Sequence, residues 1–207
     1  MLILVGLGIY GWRGISLEGL EAARSSDTIY LETYTSPTNI DLEELQGALG
    51  KRVILVSREF LEEGREVISR ASKEKVALLC PGDPLIATTH ISLILEAWKR
   101  GIPTKVYHGA SILTAAIGES GLHAYKFSCM ATLPVSKEFL PYSVYKILAE
   151  NRRRGLHTLL LLEYNVETGK YLSVKEALER LLEMEKTRGR DAISPVSYTH
   201  LRAHETR

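Results

Sequence analysis

Three short stretches concentrate the residue types that handle small ligands. The first runs Gly6-Leu7-Gly8-Ile9-Tyr10-Gly11 and matches G-x-G-x-x-G, with Glu32 at about the distance where a dinucleotide-binding fold keeps its ribose acid. In that fold the helix begins inside the glycine motif, so that its N–H groups and dipole face a pyrophosphate. Here Trp12, Arg13, Gly14 and Ile15 come next, and the first good N-cap is Ser16. A pyrophosphate at Gly8 would not meet a helix terminus, so the pattern matches without its mechanism. What remains is bare backbone at the carboxyl end of a first strand, where open α/β sheets bind ligands.

The second stretch is "PGDPLIATTH", residues 81–90. Pro81 and Pro84 stiffen it, Gly82 admits an unusual φ, and Asp83 sets a carboxylate ahead of a helix. The plainer alternative is that Asp83, Thr88 or Thr89 merely caps that helix. His90, at the helix start, reads as a packed histidine rather than a base. The third stretch is "HGASI", in which Gly109 and Ala110 leave room and Ser111 is the expected N-cap of the next helix. Three such loops on one sheet edge describe a cleft for a small organic molecule. No spacing of a metal site or a catalytic triad accompanies them, and no metal is expected.

The elements that must position these loops alternate strand and helix. Leu2–Val5, "TIYLETY", "KRVILVS", "KVALLC" and "TKVYH" read as strands. Between them lie a helix near Ser16–Ser25 with Leu17 and Leu20 on one face, and another with Ile91, Ile94, Leu95 and Trp98 as its apolar stripe, stopped by Gly101. "ASILTAAIGESG" adds a third helix. The fold class is α/β, with a parallel sheet in an N-terminal domain spanning 1–126.

From Phe127 the pattern changes. "KFSCMATLPV" is extended, a helix starts at Ser143, "LHTLLLLEY" reads as a buried strand, and "SVKEALERLLEMEK" as a strong helix. Ser173 and Glu176 form a capping box for that helix, with Val174, Leu178, Leu181 and Leu182 as its stripe. Arg152, Arg153 and Arg154 could meet an acidic surface of a protein partner, but the first reading is that they complement the C-terminal dipole of their helix before Gly155. These elements make a partial α/β C-terminal domain over 127–194. Residues 195–207 continue neither period and read as a non-native tail resembling one that recurs on unrelated translated sequences; its His200 and His204 lack a third ligand.

Composition narrows the partners. Lys+Arg 26 against Asp+Glu 25 leaves a net charge of +1, so no overall field recruits nucleic acid or a membrane surface. Neither a membrane span nor an export signal is legible, and the expected compartment is the cytoplasm. Cys80 and Cys129 lack disulfide spacing and are expected to be two buried, reduced thiols.

With "GLGIYG", "SREFLEE", "PGDPLIATTH", "HGASI", "GLHAYKF" and "RGLHTLLLLEY" in view, the chain resembles the diphthine synthases, a branch of the tetrapyrrole-methylase-like enzymes that use S-adenosylmethionine. The resemblance runs from residue 1 to about 192. It implies two α/β domains with S-adenosyl-L-methionine in the cleft between them, a homodimer, and methylation of the amino group on a modified histidine of translation elongation factor 2. The donor contacts it implies fall on Ile9, Asp83, Ile86, Ser111, Ile112 and Leu162. The family's later strands are absent, because the family-like sequence stops near Ile193. No catalytic residue is assigned, although Tyr10, Tyr34 or His90 could assist proton removal. The rival readings are a methyltransferase acting on a tetrapyrrole, a nicotinamide-dependent oxidoreductase argued from the first loop alone, and a non-catalytic binding module.

Overall fold

The computed structural model describes residues 1–188 except 37–39, 137, 139 and 167. Contacts divide the chain into two units, Met1–Ile112 and Leu113–Arg207. The change of pattern read at Phe127 lies inside the second unit. The tail beginning at residue 195, with His200 and His204, lies outside the described residues.

In the first unit, β1 (Leu2–Gly6), β2 (Thr28–Glu32), β3 (Ile54–Val56), β4 (Val76–Cys80) and β5 (Thr104–Tyr107) pair in the order β3-β2-β4-β1-β5, every pair parallel. β1, β2 and β4 are buried along their whole length, which is why they read as unbroken apolar runs rather than alternating ones. Successive side chains still go to opposite faces. Leu2 and Leu4 join the core filled by α3 (Arg58–Glu63), α4 (Arg65–Ala71) and α5 (Ile91–Lys99), through Leu61, Val67, Ile68, Leu93 and Ile94. Ile3 and Val5 join the opposite core, with Ala22 and Ala23 of α1 (Leu17–Arg24) and Leu45 of α2 (Leu42–Leu49).

Two helical faces differ from the expected stripes. Leu17 is exposed, and α1 instead buries Gly19, Ala22 and Ala23; a Cβ at Gly19 would lie 2.8 Å from Val5 Cγ1, so small residues let the helix sit close on the sheet. On α5 the buried residues are Leu93, Ile94 and Ala97, while Ile91, Leu95 and Trp98 are exposed. Both periods were helical, but one residue of phase decides which side faces the sheet. α2, α3 and α4, of six to eight residues, were not among the helices expected from the sequence.

The second unit pairs β6 (Ala131–Leu133) with β7 (Leu160–Leu162) in parallel, with Leu133 opposite Leu162. β7 is half-buried rather than fully buried as its leucine run suggests. Tyr164–Asn165 (β8) and Lys170–Tyr171 (β9) form a short antiparallel pair. α6 (Ile112–Glu119) opens the unit, and α7 (Tyr142–Arg153) and α8 (Val174–Arg188) supply its core with Val144, Tyr145, Ala177, Leu181 and Met184 around Leu133. The buried face of α8 is thus Ala177, Leu181 and Met184 rather than the full expected stripe, with Val174, Leu178 and Leu182 half-buried. Arg180 is buried too, and its guanidinium donates to the carbonyls of Ser136 at 2.9 Å and Val135 at 2.7 Å. That pairs a buried cation with backbone carbonyls of the loop it packs on.

Candidate active site

Three strands end level. Gly6 of β1 lies opposite Cys80 of β4, and Val5 lies opposite Tyr107 of β5. The connection after β1 runs to α1 on one face of the sheet, while that after β4 runs to α5 on the other. Adjacent strands whose connections part to opposite faces open a crevice at their carboxyl ends, the usual ligand position in an open α/β sheet.

The loops leaving these strands are tied backbone to backbone. Gly8 N donates to Gly82 O at 3.0 Å and Gly82 N to Gly8 O at 2.9 Å, an antiparallel bridge with both residues at positive φ, +73° and +71°. Gly6, Gly82 and Gly109 meet still more closely: a Cβ on Gly109 would lie 2.4 Å from Gly82 O, and one on Gly6 2.5 Å from Gly109 N. At Gly6 and Gly109 the space expected for a ligand is therefore filled by neighbouring backbone. Gly82 differs, since its Cβ direction meets nothing nearer than Ala110 O at 4.0 Å.

Asp83 joins the second loop to the third. It is 5% exposed; its Oδ1 accepts from Leu85 N at 2.9 Å, and its Oδ2 from His108 Nδ1 at 2.8 Å and Gly109 N at 3.2 Å. Asp83 does not cap α5, which begins eight residues later. Nor does Thr88, whose hydroxyl donates to Pro84 O at 2.6 Å. Between them Ala87 holds φ at +56°, a conformation that costs a non-glycine residue free energy and persists only where its surroundings impose it.

Glu32, read as a ribose acid by spacing, is wholly buried and committed elsewhere. Its Oε2 accepts from the backbone N–H of Tyr34 and of Thr35, each at 3.1 Å, and its Oε1 accepts from the Thr35 hydroxyl. Glu32, Cys80 and His90 form a buried group that offers metal-ligand atoms within 4.8 Å of one another. Sequence spacing could not reveal it, because the three residues come from two strands and a helix start. Each donor has a partner: His90 Nδ1 bonds Pro84 O at 3.0 Å and contacts Cys80 Sγ at 3.6 Å, and His90 Nε2 bonds Tyr34 Oη at 3.2 Å. Among the described residues no buried side-chain nitrogen or oxygen lacks a partner. Burial, reinforced by Glu32 and Asp83, pushes the Cys80 thiol well above its ordinary value, and burial likewise raises the Tyr34 phenol. Cys129, by contrast, is exposed, against the expectation that both thiols are buried.

The first loop carries a 3₁₀ turn, Gly11–Gly14, before α1. Trp12 Nε1 donates to Glu44 Oε2 at 3.0 Å and Arg13 pairs with the same carboxylate, pinning the turn to α2. These hydrogen bonds, Arg13's first, hold the Glu44 carboxyl below its usual range. α1 then starts where expected, with Ser16 Oγ accepting from Gly19 N at 3.1 Å.

Of the residues singled out for donor contact, five come together on the three loops. Ile9 is half-buried beside the Gly8–Gly82 bridge, Asp83 and Ser111 are buried, and Ile86 and Ile112 are 44% and 55% exposed. Leu162 belongs to β7 of the second unit. His90 is packed, as expected, and Tyr10 is 80% exposed. The partners that Asp83 finds in His108 and Gly109 were missed, although both open the third loop on the same sheet edge. The arrangement suits a small organic ligand: glycine backbone of the interlocked loops along one side, with the open Cβ direction of Gly82, and exposed aliphatic groups at the rim.

Comparison with known proteins agrees. The sequence profile of the tetrapyrrole (corrin/porphyrin) methylases matches residues 1–194, and the chain belongs to that family. Within it the similarity is to the diphthine synthases. The chain is 42% identical to the diphthine synthase of Archaeoglobus fulgidus over 183 residues, covering 88% of this chain and 70% of that protein. It is 41% identical to the diphthine methyl ester synthase of Eremothecium gossypii over 213 residues, covering 94% and 71%. A crystal structure of a diphthine synthase superposes with a TM-score of 0.80 at 40% identity, covering 90% of this chain and 72% of that one.

Proposed function

We propose that the chain is an S-adenosylmethionine-dependent methyltransferase of diphthamide biosynthesis, acting on the amino group of the modified histidine of translation elongation factor 2. The observation that carries this reading is the assembly of three strand-end loops at the crevice, locked by the Gly8–Gly82 bridge and by Asp83, in a chain about 40% identical to diphthine synthases. Ile9, Asp83, Ile86, Ser111 and Ile112, and Leu162 in the second unit, are the donor contacts of this proposal. The donor-side chemistry fits them: the bare backbone at Gly82 leaves room beside the loops, and exposed Ile86 and Ile112 suit the ligand's adenine. Asp83 contributes by holding the second loop against the third. A homodimer in the cytoplasm, with sequence domains 1–126 and 127–194, completes the reading.

Methyl transfer from a sulfonium is an in-line displacement. The amine nitrogen forms the new bond to carbon, the carbon–sulfur pair leaves with sulfur, and the ammonium then gives its proton to water. Alignment can supply about 7–11 kcal/mol of the barrier. An α-amino group of pKa about 8 is partly neutral near pH 7, so no dedicated base is required. His90 and Tyr34 are spent on each other and on Pro84, which leaves exposed Tyr10 as the group nearest that role on the first loop.

Calorimetric titration with S-adenosylhomocysteine and with NAD tests the class: the homocysteine should bind and NAD should not, whereas the reverse supports the oxidoreductase. Transfer of labelled methyl to elongation factor 2 carrying the partly built histidine tests the substrate, with a tetrapyrrole acceptor run in parallel. A second reading, methylation of the carboxylate, rests on the name of the Eremothecium gossypii relative, which specifies a methyl ester. Mild alkali separates the two, because it releases an ester methyl and leaves an N-methyl in place.

A further inference from the structure

The polar chain that ends on Pro84 is not explained by packing alone. His90 is 1% exposed at the start of α5, and its two ring nitrogens reach two different loops. Pro84 O can only accept, so Nδ1 carries the hydrogen; in the neutral ring Nε2 is then the acceptor, and the Tyr34 hydroxyl donates to it. Tyr34 is itself set by Glu32, which accepts its backbone N–H, and the Arg58 guanidinium lies 5.2 Å above its ring. Pro84 follows Asp83 directly, and its carbonyl also takes the Thr88 hydroxyl across the strained Ala87. The line thus runs from the buried carboxylate ending β2, through phenol and imidazole, to the loop whose Asp83 grips Gly109.

We propose that Tyr34 and His90 are positioning residues for the methyl donor: through the Tyr34 Oη–His90 Nε2 and His90 Nδ1–Pro84 O bonds they hold the 81–90 loop, Ala87 included, in the shape that presents Gly82 and Ile86 to the ligand. The inference rests on the methyltransferase reading and deepens it. Neither residue touches the reacting atoms. Burial raises the Tyr34 phenol, which keeps it a neutral donor over the working range of pH.

Tyr34→Phe deletes one oxygen and keeps the ring, so it tests the bond without opening a cavity. His90→Asn keeps an amide N–H in reach of Pro84 and drops the link to Tyr34. Each variant of the full chain, and the double variant, should weaken S-adenosylhomocysteine binding and raise the donor KM about tenfold, the equivalent of one ordinary hydrogen bond. The kcat at saturating donor should stay within about twofold, since the chemical step is untouched. The double variant should lose no more than either single one, because both cut the same bond. A purely structural role would lower the melting temperature and leave the split between KM and kcat unmoved. Variants that bind the homocysteine as tightly as the parent, additive losses, or a fall in kcat at constant KM would overturn the inference. A parent chain that does not bind the homocysteine overturns the methyltransferase reading itself, and this inference with it.

Discussion

Asp83 concentrates three hydrogen bonds on a carboxylate that water hardly reaches, and both loops depend on it. In Asp83→Asn the Oδ1 contact with Leu85 survives, but an NH₂ replaces the oxygen that accepts from Gly109 N and His108. Two donors then face each other in a buried place, which should destabilise the chain by about 1–3 kcal/mol and abolish donor binding at micromolar ligand. Chemical denaturation and calorimetry read the two effects. The thiols offer a separate check. Cys129 should react with a disulfide reagent in the native protein and Cys80 only on unfolding. Because the folded state holds the Cys80 proton more tightly than the unfolded chain, its contribution is complete below the ordinary value of 9.0 and lost as pH rises beyond it. The denaturation midpoint of the parent should therefore fall more steeply above pH 9.0 than that of Cys80→Val, and parallel slopes would refute this assignment. Asp83 was recognisable as a candidate because its neighbours are so restrictive. Its partners were not, since Gly109 lies 26 residues away and pairing at that range belongs to the sheet register.

The devices that sequence discloses most reliably at the scale of elements are those completed within one turn. Ser16 caps α1, and Ser173 and Glu176 close their box reciprocally, with Ser173 N donating to Glu176 Oε2 at 3.1 Å and Glu176 N to Ser173 Oγ at 3.2 Å. Ser173→Ala removes one side of the box and should cost about 1 kcal/mol, seen as a lower denaturation midpoint with an unchanged slope. Helix phase was harder to read. On α5 the Ile91, Leu95 and Trp98 row competes with Leu93, Ile94 and Ala97 for the sheet, and the second set is buried although both are apolar, so composition alone does not fix the phase. Loops were the hardest: the 3₁₀ turn and its tether to Glu44 join residues 31 and 32 positions apart, beyond any local pattern.

For the whole molecule, the parallel order β3-β2-β4-β1-β5 sets β1 and β4 side by side with divergent connections, and that placement follows from topology rather than from any residue. Alternating strands and helices made the fold class legible; strand order and the crevice needed the structure. No helix among the described residues is long and apolar enough to cross a membrane. Donor binding should register globally: S-adenosylhomocysteine at 100 times its dissociation constant adds about 2.7 kcal/mol and should raise the melting temperature by roughly 5–10 °C. A shift of that size with NAD instead would favour the dehydrogenase reading.

The contact of Gly6, Gly82 and Gly109 constrains how such a chain can change its ligand. With no room for even a methyl group on Gly6 or Gly109, and with Gly82 held at positive φ, the three loops behave as one block, and a side chain at the root of the first or third would displace its neighbours. New specificity is best written just downstream, at half-buried Ile9 and exposed Ile86 and Ile112. A redesign that keeps the glycines and recombines those three positions should give folded proteins at a far higher rate than one that grafts whole loops.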